Sequence, residues 1–332
     1  MTDDKALAII KPGQIGPRVQ RLKGLVGDAY LGQIETTVRR YMAWIESENR
    51  GQVGIVSNIE DFYVHLKAEG LRDSTAKLHL CRLRRFVRKY AKDTGRLDLL
   101  PLLELVELPR QVQESPRRAW LDSNQAGRLL GDCDMRTVLG IRDKAILGLL
   151  LGAGLRRSEA ASLTWGQIDF DSVPPMLIGL HTKGRTRDIP IPVQLGHTLK
   201  LWKETIEEDA PAGSTENDLP VFWSLTKGHR LYHPGLTAQA VWRVVEEHCR
   251  RIPVTVKDTN GRSVLPRPHD LRRTFARCYW DRGGDLVDLS TLLGHSSVTT
   301  TSAYIGAGWN PTKSDPGRFL SYAAALDGGD GR

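Results

Sequence analysis

Apolar residues along the chain fall mostly at helical spacing. From Ile34 to Ile45 the positions Val38, Tyr41, Met42 and Ile45 share one face, which predicts a helix. Asn58 to Lys67 reads as a shorter helix, opened by an Asn or Asp cap and closed by Gly70. Ser74 to Lys92 carries Leu80, Leu83, Phe86, Val87 and Tyr90 on the side a core would receive. Farther along, Ser123 is placed to cap a helix through Leu130, and Arg142 to Leu151 is a strongly apolar helix. Helical periodicity returns at Leu195 to Glu207, Thr237 to Arg250, Leu271 to Arg282 and Leu286 to Leu293. In between, Met176 to His181 and Thr186 to Ile191 read as two short strands around Lys183-Gly184-Arg185, after a turn at Pro174-Pro175. The pattern describes a mainly α protein with a small β-sheet.

A chain of 332 residues exceeds one compact core of usual size, so two domains are expected. Residues 1–21, with Pro12, Gly13, Gly16 and Pro17, read as a flexible lead-in, and 22–110 as a helical domain. The stretch ending at Arg118 contains Pro109 and Pro116 and little periodicity, which makes 111–118 a linker. Residues 119–314 then form a mixed α+β domain, and 315–332 a tail. Asp315 can cap a tail helix with Pro316 at its first position, and Phe319, Leu320, Ala323, Ala324 and Leu326 give it an apolar side. That side could pack on its own domain or on a neighbouring subunit.

Charge narrows the choice of partner. Lys and Arg outnumber Asp and Glu by 47 to 39, a net charge of +8, which points to nucleic acid or an acidic membrane surface. Apolar runs such as Ala145 to Gly154 fall well short of the roughly 20 residues of a membrane span. The start MTDDKALAII has no signal-peptide pattern, so a cytoplasmic, nucleoid-associated protein is expected. Cys81, Cys133, Cys249 and Cys278 are widely separated and read as buried thiols. Neither a GxxxxGK[ST] loop nor an HExxH helix occurs, and no cofactor or metal is expected. The densest positive charge lies on the Ser74 to Lys92 helix. From Arg72 onward it carries eight cations (Arg72, Lys77, Arg82, Arg84, Arg85, Arg88, Lys89 and Lys92) against one acid, Asp73. A solvated helix face usually mixes both signs, so Lys77, Arg82, Arg84, Arg85, Arg88, Lys89 and Lys92 are candidate DNA-backbone contacts; a plain solvated face is the alternative.

Five short segments remain, each unremarkable alone: GLRRSE at 154–159, HTKGRTRDIPI at 181–191, HDLRRTFA at 269–276, LGHSS at 293–297 and TTTSAY at 299–304. Together, in this order, they resemble the fingerprint of the tyrosine recombinase (phage integrase) family: Arg156, Lys183, His269, Arg272, His295 and Tyr304, with Glu159 three residues after Arg156. The nine-residue step from His295 to Tyr304 also fits. The resemblance spans roughly Trp120 to Ile305; residues 22–110 are similar to the family's core-binding domain only in being helical and basic.

Attack on a phosphodiester builds charge on the non-bridging oxygens, and guanidiniums can stabilise it with planar, permanently charged donors. Arg156 and Arg272 suit that role. A tyrosine hydroxyl, with a reference pKa of about 10, needs neighbouring cations or a base such as His269 to become a nucleophile. The resemblance implies that Lys183, with Arg185 as the competing cation, returns a proton to the 5′ oxygen. It also implies that His295 hydrogen-bonds the phosphate and Glu159 orients its neighbours. It implies a two-domain Xer-like or Cre-like recombinase acting on double-stranded DNA at a specific site. The expected assembly is a tetramer, with accessory DNA-bending proteins or a sister recombinase as further partners. A type IB topoisomerase and a non-catalytic DNA-binding relative are the rival readings. The role of the polar loop at 257–268 is left open.

Overall fold

The computed structural model describes residues 12–23, 25–48, 50, 56–107, 119–182, 185–257, 261–295 and 297–306. The expected linker at 111–118, Lys183 and the tail helix lie outside these residues. The chain divides into two compact units, Met1–Glu114 and Ser115–Arg332, each with its own apolar core.

The first unit is built from α1 (Pro12–Gln20), α2 (Asp28–Ser47), α3 (Asn58–Ala68), α4 (Asp73–Thr94) and α5 (Leu99–Leu105). The periodic positions of α2 and α4 are buried as their spacing requires: Val38, Tyr41, Met42 and Ile45 from one, Leu80, Leu83, Phe86 and Val87 from the other. Tyr90 packs at the core's edge. A buried hydrogen bond of 2.9 Å between Thr37 Oγ1 and His79 Nδ1 ties the two helices. Of the lead-in expected at 1–21, residues 1–11 lie outside the described residues, and Pro12–Gln20 form the helix α1 instead. Ile15 and Val19, four residues apart, are both buried, and they anchor a helix on α2 that contains Pro17.

The second unit opens with α6 (Ser123–Gly131), α7 (Val138–Gly152) and α8 (Arg157–Ala161). Asp122, rather than Ser123, caps α6: its carboxylate accepts the Gln125 N–H at 2.8 Å, while the Gln125 side chain accepts the Asp122 N–H at 3.0 Å. A three-stranded antiparallel sheet follows, in the order β1 (Ile168–Asp169), β2 (Met176–Thr182), β3 (Arg185–Pro190). Next come α9 (Val193–Asp209), a hairpin of β4 (Trp223–Leu225) and β5 (Leu231–Pro234), and α10 (Ala238–Arg251). The loop at 257–268 contributes to a second small hairpin, β6 (Val256–Lys257) with β7 (Ser263–Val264). The chain continues through α11 (Pro268–Asp281), α12 (Leu286–Leu293) and α13 (Val298–Ile305).

The apolar helix α7 is central to this unit, packed on α9 and α11. Ala145, Ile146, Leu149 and Leu150 share a core with Leu199, Trp202 and Ile206 of α9 and with Leu177 and Ile189 of the sheet. A smaller cluster, Ala276, Leu289, Leu293 and Ile305, holds α11, α12 and α13 together, with Tyr304 at its edge. Among the described residues, no helix is long and apolar enough to cross a membrane.

Candidate active site

Two glycine-dependent turns set the site. Gly154, at the exit of α7, has φ +61°, and a Cβ there would lie 2.4 Å from Phe275 Cδ1; only glycine fits. Gly294 ends α12 at φ +59°. Arg156 follows the first turn and His295 follows the second.

Arg156 precedes α8, and Glu159 reaches back to it. The Arg156 N–H donates to Glu159 Oε2 at 2.8 Å, and Arg156 Nη1 donates to Oε1 at 2.6 Å. Arg272, on α11, is 1% exposed; it donates through Nη1 to Gly154 O at 2.6 Å and through Nη2 to Leu293 O. Its Nη1 also lies 3.6 Å from Glu159 Oε2. Arg187, on β3, grips the same carboxylate through Nη1 at 3.2 Å and Nη2 at 2.9 Å, and donates through Nε to Leu292 O at 2.9 Å. Arg156 Nη2 reaches Gly294 O at 3.3 Å. Three successive carbonyls, those of Leu292, Leu293 and Gly294, therefore accept from three different arginines. They lie where α12 runs out of internal donors and presents partial negative charge.

Tyr304, on α13, stands beside this cluster. Its ring meets those of His269 and His295 edge-on, with centroids 5.1 and 5.4 Å away. The Arg273 guanidinium lies 4.7 Å from the Tyr304 ring centroid, and its Nε donates to Tyr304 O at 3.2 Å. The Tyr304 hydroxyl donates to the His269 carbonyl oxygen at 3.2 Å, not to its imidazole. His295 Nδ1 lies 2.9 Å from the buried Thr301 hydroxyl of α13.

Electrostatics follow from this crowd of cations. Both His269 and His295 are pushed down to about 4, by loss of water and then by the arginines. For His269 these are Arg273, Arg272 and Arg156; for His295 they are chiefly Arg272 and Arg156. His269 keeps an open side to water, so for it the guanidinium field is the cause that persists. Burial raises the Tyr304 hydroxyl, against the pull of Arg272 and Arg273. Burial also works to raise Glu159, but hydrogen bonds from Arg187 and Arg156 hold it below the usual carboxylate range. The result is two neutral imidazoles beside a phenol, and one of them, His269, lines a cationic cleft. That cleft, about 470 Å³, is lined by Arg156, Arg157, Arg267, Arg272, His269 and Trp242 among others, with no acid. Its lining suits an anionic group.

Of the seven residues singled out in the sequence, six come together here: Arg156, Glu159, His269, Arg272, His295 and Tyr304. Lys183 lies outside the described residues. Two members escaped the sequence reading, Arg187 and Arg273. Arg187 lies two residues before the buried Ile189 on the same face of β3, and a cation on an inward-facing strand position is itself a signal.

The basic helix face belongs to the first unit. Arg84, Arg85, Arg88, Lys89 and Lys92 line a cleft of about 520 Å³ with Leu22, Leu25 and Cys81. The near-absence of acids expected there needs correction. Glu104 of α5 pairs with Arg84 at 3.5 Å and Arg88 at 2.6 Å, and Asp93 pairs with Lys89. Arg82 donates to Gln33 at 2.6 Å and Arg85 to Leu25 O at 3.2 Å. Lys77 is half-buried on the same helix.

Comparison with known proteins adds an independent line. Residues 119–308 match the model of the phage integrase family. The chain is 28% identical over 249 residues to tyrosine recombinase XerD of Listeria monocytogenes, covering 75% of this chain and 76% of that one. It is 30% identical over 236 residues to tyrosine recombinase XerD of Xanthomonas campestris, covering 70% and 67%. Among solved structures, the Tn1549 transposon integrase in complex with a circular intermediate DNA superposes with a TM-score of 0.62 at 18% identity, over 93% of this chain and 99% of that one.

Proposed function

Because the chain belongs to the phage integrase family, we propose that it is a site-specific DNA recombinase that cuts and rejoins strands through a 3′-phosphotyrosyl bond to Tyr304. The observation that carries this reading is the bracketing of the Tyr304 ring by His269, His295 and Arg273, beside the acid-free cleft that Arg156 and Arg272 line. The DNA-bound state of the Tn1549 integrase supports double-stranded DNA as the partner.

In the first step the Tyr304 oxygen attacks phosphorus and the bond from phosphorus to the 5′ oxygen breaks. Arg156 and Arg272 stabilise the added charge on the non-bridging oxygens. His269, neutral at physiological pH, takes the phenolic proton after its ring moves from the edge-on position onto the hydroxyl, and His295 hydrogen-bonds a phosphate oxygen. Lys183 gives a proton to the departing 5′ oxygen. The ester conserves the bond, so a 5′ hydroxyl from another strand reverses the step without a nucleotide triphosphate. Exchange between two sites calls for several subunits on DNA, and a tetramer is the assembly proposed.

The test begins by selecting the DNA sequences that the full chain binds, then placing two copies of the selected site on one plasmid. Recombination of that plasmid without ATP is expected. Relaxation of supercoils on any DNA, with no exchange between sites, would instead identify a nicking-closing enzyme.

A further inference from the structure

β2 carries a bulge at Gly179, which has φ +63°. The register moves between Leu177, opposite Ile189, and Leu180, opposite Arg187. The Gly179 N–H donates to Asp188 at 2.8 Å, pinning the shift. Arg187 thus shares the inward face of β3 with the fully buried Ile189, and its side chain is 5% exposed. Removing a guanidinium from water is costly, and a well-packed apolar residue often serves stability as well as a buried ion pair does. The charge here calls for a role besides packing.

Glu159 shows what that role is. Its carboxylate lies among three guanidiniums, two of which the proposed reaction needs on the phosphate. Arg187 sits within hydrogen-bond distance of both oxygens, whereas Arg272 stays 3.6 Å away and directs its Nη groups to the Gly154 and Leu293 carbonyls. Arg187 also donates to Leu292 O, three residues before His295.

We propose that Arg187 is a positioning residue: it satisfies Glu159 and fixes the end of α12, so that Arg156 and Arg272 keep their aim and net charge for the phosphate. This rests on the recombinase reading for its kinetic consequence, but not for its electrostatic one. Without Arg187, Glu159 draws Arg272 from Leu293 and holds Arg156 more tightly, and the cluster falls from three cations on one anion to two. The Arg187 charge is also among those that depress His295.

The test compares the full-length wild type with Arg187→Met, Arg187→Lys, Glu159→Gln and the double variant Arg187→Met/Glu159→Gln. His295 is titrated by NMR in the free protein, and adduct formation is timed on saturating nicked DNA. Arg187→Met is expected to raise the pKa of His295 and to slow adduct formation on the order of ten- to a hundredfold, the scale of a misplaced reacting group, with DNA affinity nearly unchanged. Adding Glu159→Gln should recover part of that rate, because the uncompensated carboxylate is gone. Arg187→Lys keeps the charge and loses the paired geometry; it should leave His295 near its wild-type value while the rate still falls. That variant carries the test if Arg187→Met does not fold. A His295 titration unmoved by Arg187→Met, or a double variant whose loss is the simple product of the single losses, would overturn the proposal. If the wild type itself makes no adduct, the recombinase reading fails, and the His295 titration still decides the electrostatic role of Arg187.

Discussion

Arg156 and Arg272 face the same cleft but are held differently, and their removal should read differently. Arg156 has a side chain 35% exposed, and Arg272 one that is 2% exposed. Arg156→Ala is expected to slow strand cleavage on the order of a hundredfold with little change in thermal stability. Arg272→Ala should lose a comparable rate and also destabilise the fold, since the Gly154 and Leu293 carbonyls each lose a donor, at about 1–3 kcal/mol apiece. Cleavage rate and melting temperature, measured on both variants, separate the two. The histidines give a pH signature. A pKa lowered to about 4 in the fold, against about 6.5 unfolded, means that the unfolded chain binds more protons in this window. His269 and His295 therefore contribute stability that is present above about pH 6.5 and is lost as pH falls towards 4. His248 runs the other way. Burial alone would lower it, but Asp143, Cys133 and Asp132 raise it to about 10, so its contribution is complete below pH 6.5 and fades as pH rises through 10. NMR titration should place the two groups on opposite sides of the ordinary value; His269 or His295 titrating near 6.5 in the free protein would contradict the cationic field described. At this scale the sequence exposed residues whose order and spacing carry a fingerprint. It hid Arg187 and Arg273, whose importance comes from partners far along the chain, Glu159 and Leu292 for one and Tyr304 for the other.

Among elements, the long periodic helices were legible because one apolar face decides them. The apolar residues of α4 fall at helical spacing, and that face is buried. Short elements were not. β4 with β5, and β6 with β7, are pairs of two to four residues, too short for alternation to build a pattern. α1 was hidden by Gly13, Gly16 and Pro17, although Ile15, Val19 and Leu22 bury a helical stripe. The basic face of α4 shows how a local window misleads: its balancing acid Glu104 comes from α5, outside the segment whose charges were counted. This changes the expected salt dependence. Replacing Arg85, Lys89 and Lys92 together in the full chain should reduce the slope of log affinity against log salt by roughly two units rather than three, because Lys89 is engaged by Asp93. An unchanged slope would make this face a solvated one that touches no phosphate.

For the molecule as a whole, the two units, each with its own core, follow from a length beyond one core and from a Pro-containing, aperiodic stretch between two periodic regions. Family membership rests on the second unit, where residues 119–308 match; the proposed chemistry rests on Tyr304. The most direct measurement uses a duplex nicked close to the 3′ side of the scissile phosphate, so that the short fragment released with a 5′ hydroxyl diffuses away and the intermediate is trapped. The products of wild type and Tyr304→Phe are resolved on a denaturing gel, with and without EDTA. The wild type should give a covalent protein–DNA band that EDTA does not diminish, and Tyr304→Phe should bind the same DNA yet give none. An adduct that survives in Tyr304→Phe would move the nucleophile elsewhere, with Tyr279 and Tyr322 next to test, and loss of the wild-type band in EDTA would overturn the guanidinium-based account.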